Sequence, residues 1–169
     1  MSEFLVTSGN TDDIGEIIRL YREVAAIEGG LARTADEISD EYVTNFVSKA
    51  VESGIIVVAK NADGRVIGEI HGYALGPRVF AHILGELTIA VLPDFQGRGV
   101  GKIMFIEFMC RVEEKQEITR VELTARESNA RAIGFYENLG FVIEGRMANR
   151  IRSAGGGFES DIPMAWLRS

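Results

Sequence analysis

Glycines alternate with other residues in Gln96-Gly97-Arg98-Gly99-Val100-Gly101-Lys102. Where a strand turns into a helix, residues without side chains leave unpaired backbone N–H groups pointing one way, and such a cradle holds phosphate. Arg98 and Lys102 add positive charge beside it. A plain glycine turn would carry the same glycines; the helix that follows and the two cations favour an anion site. Two phosphate loops are excluded by spacing. A dinucleotide fingerprint begun at Gly97 needs glycine where Lys102 stands, and begun at Gly99 it needs glycine where Met104 stands. A Walker loop needs glycine at Gln96 and Ser or Thr at Ile103. Elsewhere, one Cys and two His are too few for a structural zinc site, and no Gly-x-Ser-x-Gly elbow exists, so neither a metal nor a serine nucleophile is expected.

The elements that must position this turn follow from periodicity. Phe4 to Thr7 is a short strand, and Thr11 caps a helix with Ile14, Ile17, Ile18, Tyr21 and Val24 at helical spacing up to Gly29-Gly30. The capping box Thr34-x-x-Glu37 starts a second helix running to Gly54. Ile55 to Ala59 and Val66 to Leu75, separated by Asn61-Ala62-Asp63-Gly64, form a hairpin. Leu84 to Val91 is a further strand, and Lys102 to Glu114 a helix apolar on nearly every face, with Cys110 as an inert core thiol. Val121 to Ala125 is a strand, Ala130 to Leu139 a helix, and Phe141 to Ile151 with Ile162 to Leu167 a final strand pair. The expected class is a mixed α/β (α+β) domain, a central sheet flanked by helices, with residues 1–169 as one folding unit.

Length and composition agree. A chain of 169 residues, 46% hydrophobic, buries a real core, and a lone Cys in it points to a reducing cytoplasm. No apolar stretch is long enough to span a bilayer, since Glu107 interrupts Ile103 to Cys110, and Met1 to Ser8 has no secretory pattern, so no membrane partner is expected. The net charge of −7 falls entirely before Gly64, where 12 acidic residues face 5 basic ones. No part is a basic surface, which argues against nucleic acid as a partner.

The turn resembles the acyl-CoA motif Q/R-x-x-G-x-G/A of the GNAT superfamily of N-acetyltransferases, here Gln96 to Gly101. A second signature of that family, an Asn followed by a helix and F/L-Y-E-x-L-G-F, stands at Asn129 and at Phe135-Tyr136-Glu137-Asn138-Leu139-Gly140-Phe141. The likeness covers residues 55 to 167 well and the first two helices only in their order. The tail from Glu144 to Met164 is similar to branches acting on small amines or on protein N-termini.

The resemblance implies a GNAT-like fold and a co-substrate, acetyl-CoA. In the family, backbone groups of the strand before the motif pair with the pantetheine arm, which implies Ile89, Ala90 and Val91 here; amides of Gln96, Gly97, Arg98, Gly99, Val100, Gly101 and Lys102 hold the pyrophosphate. Asn129 meets the cofactor arm and Arg131 a phosphate. Tyr136 is the implied general acid at sulfur, with a core aromatic beside Phe135 as its other reading. The implied chemistry is direct attack of a neutral amine on the thioester through a tetrahedral intermediate. Glu86, on the strand before the motif, is the implied base or else structural; His71 and His82 stand behind it as surface histidines at strand ends. The expected acceptor is a small-molecule amine, with a protein N-terminus or lysine, or a CoA-binding module without turnover, as alternatives. The acidic first third favours a cationic acceptor, and an exposed edge in the final strand pair suits a homodimer.

Overall fold

Asn10, one residue earlier than expected, opens the first helical turn: its Oδ1 accepts from the Asp12 amide at 2.8 Å while Asp13 Oδ2 accepts from the Asn10 amide at 3.0 Å. This reciprocal cap closes a 3-10 turn over Thr11–Asp13 that runs into α1, Ile14–Ala25. The capping box at Thr34 also forms, with Glu37 Oε2 accepting from the Thr34 amide at 2.8 Å. It caps only a 3-10 turn over Ala35–Glu37, because Ile38 leaves helical geometry (φ −84°, ψ 79°) with its side chain buried. The chain caps again at Ser39, whose hydroxyl accepts from the Tyr42 amide at 3.1 Å, and α2 spans Asp40–Ser53. The computed structural model describes residues 3–169; Met1 and Ser2, part of the stretch inspected for a leader, lie outside the described residues.

The strands are β1 (Phe4–Ser8), β2 (Gly54–Asn61), β3 (Val66–Ala74), β4 (Ile83–Val91), β5 (Arg120–Arg126), β6 (Val142–Ile143), β7 (Met147–Arg152) and β8 (Phe158–Leu167). They form one mixed sheet in the order β1-β2-β3-β4-β5-β8-β6, with β7 also paired to β8. Among the described residues, the helices α3 (Val100–Glu114) and α4 (Ala130–Asn138) complete the four that flank it. By contact density the chain divides into two compact units, residues 3–74 with Leu87–Gln116, and Leu75–Glu86 with Glu117–Ser169.

In the first unit β1, β2 and β3 are antiparallel neighbours, and the hairpin between β2 and β3 turns where Asn61 Oδ1 accepts from the amides of Asp63 and Arg65. Helices α1 and α2 bury Ile17, Leu20, Tyr21, Val24, Val43, Phe46 and Val47. The third helix is less uniform than its composition suggests. Its buried residues, Val100, Met104, Phe105, Phe108 and Val112, mark one face, while Ile103 and Ile106 are 47% and 40% exposed and Cys110 is exposed rather than a core thiol. Helical spacing decides this, since positions 103, 106 and 110 fall opposite the buried stripe.

In the second unit the start of β4 pairs in parallel with β5 at Ile83↔Arg120 and Leu84↔Val121, and β5 pairs along its length with β8. The expected single strand Phe141 to Ile151 is broken. β6 and β7 both pair with β8, and between them the chain leaves the ladder around Gly145, with a second irregularity between Met147 and Ile151 where Asn149 has φ +54°. Asn tolerates the left-handed region better than other non-glycine residues, so the bulge falls there.

At Gly54, where β2 begins, an added Cβ would lie 2.0 Å from the Gly72 carbonyl oxygen, backbone that cannot step aside. Gly15 in α1 has nothing within 4 Å. Gly54→Ala is therefore expected to cost about 1–3 kcal/mol, whereas Gly15→Ala should stabilise by up to about 1 kcal/mol. Urea midpoints of the two variants, moving in opposite directions, check this.

Candidate active site

Strand β4 ends at Val91, and the chain must reverse into α3 within a few residues. A 3-10 turn over Pro93–Phe95 begins the reversal, and the Leu92 amide donates to the Ile67 carbonyl of β3 at 2.9 Å. Gln96 then reaches back, its Nε2 donating to the Val91 carbonyl at 3.0 Å, so its side chain closes the turn. Gly97 and Gly99 have φ of +73° and +83°, conformations that other residues adopt only under strain. Gly99 is the cap of α3 and supplies no side-chain acceptor, so the first amides of the helix are left to whatever lies in front of them.

The space in front is open. A Cβ built on Gly97 or Gly99 meets nothing within 4 Å, while one on Gly101 would touch Val91 Cγ2 at 3.6 Å and Ile89 Cδ1 at 3.7 Å. The first turn of α3 therefore rests on the end of β4, where Ala90 is buried and Ile89 and Val91 are half-buried. Arg98 is exposed, its guanidinium 5.4 Å from the centre of the Phe95 ring and 3.5 Å from Glu3 Oε2. Val100 is buried as the first anchor of the helix, and Lys102 is exposed on its first turn. The first unit thus brings Ile89 to Val91 and Gln96 to Lys102 together as one strand, turn and helix start.

The second unit holds the other expected residues. Asn129 caps α4, its Oδ1 accepting from the Ala132 amide at 3.2 Å, and Arg131 is exposed on the first turn. Tyr136, half-buried on α4, has the Phe135 and Phe141 rings at 5.7 and 6.1 Å between centres. Burial raises its phenol above the ordinary 10.0. Glu86 is exposed and takes φ +53°, a left-handed residue inside a strand, two positions beyond the last residue of β4 paired with β5. Such a conformation costs of order 1–3 kcal/mol in a non-glycine residue.

His82 is exposed, as expected, but His71 is not a surface residue. It is 2% exposed in the middle of β3, beside Glu69 at 0%, because β3 is covered on both faces. Glu69 was not singled out by the sequence, and Tyr21 only as a residue on the apolar face of the first helix. The available signal was the alternation Glu69-Ile70-His71-Gly72-Tyr73, which places the polar residues on one face of a strand with no exposed side.

The arrangement is a mixed α/β sheet with a glycine turn opening the helix that follows β4, the form of an anion cradle at a helix start. The profile of the Acetyltransferase (GNAT) family matches residues 17–141, and the chain belongs to that family. Among curated relatives, the [ribosomal protein bS18]-alanine N-acetyltransferase of Salmonella typhimurium is 45% identical over 62 residues, and that of Escherichia coli K12 is 42% identical over the same length. These matches cover 35% of this chain and 41% of each relative, well under half of the relatives' length. A GNAT-family acetyltransferase from Streptococcus pneumoniae superposes with TM-score 0.85 at 22% identity, over 98% of this chain and 99% of that one. A phosphinothricin acetyltransferase from Sinorhizobium meliloti in complex with AcCoA gives 0.84 at 20% identity, over 99% and 90%. Both likenesses establish the fold.

Because burial disfavours the phenolate, Tyr136 should ionise above free tyrosine. The stability conferred by its neutral phenol is complete below 10.0 and should be lost as pH rises through the higher folded value. The tyrosinate absorbance difference between wild type and Tyr136→Phe, followed from pH 9 upward, measures it; a midpoint at or below that of free tyrosine is the contrary result.

Proposed function

We propose that the protein is an acetyl-CoA-dependent N-acetyltransferase whose acceptor is the primary amine of a small cationic molecule. The observation that carries this reading is the turn Gln96 to Gly101, with two left-handed glycines opening an uncapped helix onto empty space. Family membership supplies the ligand that such a turn holds.

Acetyl-CoA supplies the acetyl group as an activated thioester. The chain's own residues do the rest. Amides from Gln96 to Lys102 hold the pyrophosphate, with Arg98 and Lys102 as flanking charges, and backbone groups of Ile89, Ala90 and Val91 line the pantetheine arm. Asn129 and Arg131 are assigned to the cofactor by the second motif. Asn129 uses its Oδ1 to cap α4, so its Nδ2 is the group available to donate. Tyr136 is assigned as proton donor to the leaving sulfur, and its raised pKa keeps the phenol protonated at neutral pH. Glu86, which the resemblance implies as the base, stands exposed on β4 in the left-handed region.

One observation favours a second acceptor class. The curated relatives are named as alanine N-acetyltransferases of a ribosomal protein, so a peptide beginning with Ala belongs in any acceptor panel.

Thiol release from acetyl-CoA across polyamines, aminoglycosides, amino acids and peptides tests the reading. A small polycationic amine is expected to be the best acceptor; a preferred Ala-peptide would transfer the assignment to protein N-termini, and no release with any amine would refute acetyl transfer. Gly101→Val, whose backbone is helical and unstrained, should weaken acetyl-CoA binding about tenfold or more by calorimetry while the protein stays folded. Tyr136→Phe should lower turnover roughly 10²–10⁴-fold with that affinity little changed.

A further inference from the structure

The two faces of β3 have different neighbours. Val66, Gly68, Ile70 and Gly72 face α3, since a Cβ on Gly68 would stand 2.7 Å from Met104 Cε and 3.3 Å from Val100 Cγ1. Ile67, Glu69, His71 and Tyr73 alternate onto the other face, where Tyr21 of α1 and Phe46 of α2 meet them.

There Glu69 Oε2 accepts from the Tyr21 hydroxyl at 2.5 Å, and His71 Nδ1 lies 3.0 Å from Glu69 Oε1 and 3.2 Å from Oε2. A carboxylate only accepts, so Nδ1 carries the proton and the lone pair of His71 is on Nε2, on the far side of the ring. The ring lies flat on Phe46, 4.1 Å between centres at 11°, and parallel to Tyr73 at 6.0 Å and 3°. Faces of that kind stabilise a positively charged ring.

Burying a carboxylate costs several kcal/mol and burying a polar imidazole adds to it, and apolar residues of similar size would pack this layer as well. The fold therefore gives no reason for the trio; its place does. The Leu92 amide ties the end of β4 to Ile67, and His71 lies four residues further along β3, about 13 Å from Ile67 and leading away from the glycine turn. A pantetheine arm laid along Val91, Ala90 and Ile89 from that turn runs in the same direction, and β4 neighbours β3 in the sheet. His71 thus stands at the depth of the thioester, on the face opposite α3 that carries the acidic helices.

We propose that His71, its tautomer held by Glu69 and Tyr21, takes the role implied for Glu86 and accepts the proton of the acceptor ammonium through a water molecule at Nε2. This rests on the acetyl-transfer reading above. The ammonium loses one proton to Nε2, its nitrogen forms the N–C bond, and the C–S bond breaks with its electron pair going to sulfur. The second proton from nitrogen balances the thiolate, and the proton on His71 returns to solvent. The ionisable groups facing the ring are Tyr21 from α1 and Glu69 and Tyr73 from β3. From α2 it meets Phe46, backed by Tyr42, while Lys49 Nζ stands 5.4 Å from the Tyr73 ring centre. Its register partner in β2 is Ile56, and Leu87–Val91 of β4 has no ionisable side chain. Burial and the Glu69 charge hold the Tyr21 phenol well above its ordinary value, so Tyr21 serves as a donor and does not titrate in the working range.

The test is kcat against pH with acetyl-CoA and the best amine of the panel, for wild type, His71→Asn, Glu69→Gln and Tyr21→Phe. His71→Asn should lower kcat roughly 10²–10⁴-fold near neutral pH and leave the KM for acetyl-CoA little changed. Its deficit should close about tenfold per pH unit as pH rises toward the amine's own pKa, because solution then supplies the free amine. Glu69→Gln should show a smaller deficit that closes in the same way. A deficit constant at every pH would mean a packing role and overturn the proposal. Should His71→Asn fail to fold, constant deficits in both Glu69→Gln and Tyr21→Phe would overturn it equally. Wild-type turnover with constant deficits sinks this inference alone, whereas a wild type that acetylates no amine removes the functional reading and this inference with it.

Discussion

The reversal from β4 into α3 constrains everything that follows it. Between Val91 and Val100 the chain must turn, present amides in one direction and seat a helix on the strand it has just left. Gln96 bonding back to Val91, Leu92 bonding across to Ile67, and left-handed glycines at 97 and 99 together leave the loop little freedom. The helix is then fixed by burial of Val100, Met104, Phe105 and Phe108 rather than by a side-chain cap. A cap here would compete with the proposed pyrophosphate, and its omission costs on the order of 1 kcal/mol, which the buried face offsets many times over.

That turn was also the most legible part of the sequence, for a physical reason. Glycine spacing reports backbone conformation directly, so Gly97 and Gly99 could be assigned without knowledge of tertiary contacts. Element types followed from periodicity in the same way, and the mixed sheet with its flanking helices came out as expected. What failed depended on neighbours. Thr34-x-x-Glu37 makes its capping box, but Ile38 is drawn into the core and ends the turn, so α2 starts at Ser39 instead. The helix α3 has apolar residues on several faces because composition does not say which face the sheet covers, and Cys110 fell on the wrong side of that decision. Glu86 gives no local hint of its positive φ; pairing at Ile83 and Leu84 followed by a departure from it is a property of the sheet.

His71 shows the same limit from the opposite direction. Alternation along a strand identifies two faces but not which one is wet, and near a strand end the prior favours solvent. In β3 neither face is wet, since α3 covers one and α1 with α2 the other. Glu69 can exist there only because Tyr21 and His71 supply donors at hydrogen-bonding distance, and His71 only because Phe46 and Tyr73 give its ring two parallel partners. The group is interdependent: removing any one member leaves a buried polar atom unsatisfied or a ring without a face, at a cost of about 1–3 kcal/mol for the orphaned atom.

The excess acidity of the first third must be read through the same local bonding. Asp13 is paired with Lys60, Glu16 with Arg19, Glu23 with Arg19 and Arg65, Asp40 with Arg22 and Glu3 with Arg98, while Glu37 is spent on its own cap. Asp12, Glu28, Asp36, Glu41, Glu52 and Asp63 form no ion pair among the described residues, so they carry most of the field available to attract a cation. Asp36 is fully ionised at neutral pH, its carboxyl held below the ordinary range by the Thr34 hydroxyl. Reversing Asp36, Glu37 or Asp40 would break a hydrogen bond, a cap or a salt bridge as well as a charge, so only exposed positions without such bonds, such as Glu41 and Glu52, separate attraction from folding. Exposed charges of this kind act over roughly a Debye length, about 10 Å at 0.1 M salt. They can therefore concentrate an ammonium near α2 but not choose among amines, and that choice falls to the groups that touch the acceptor.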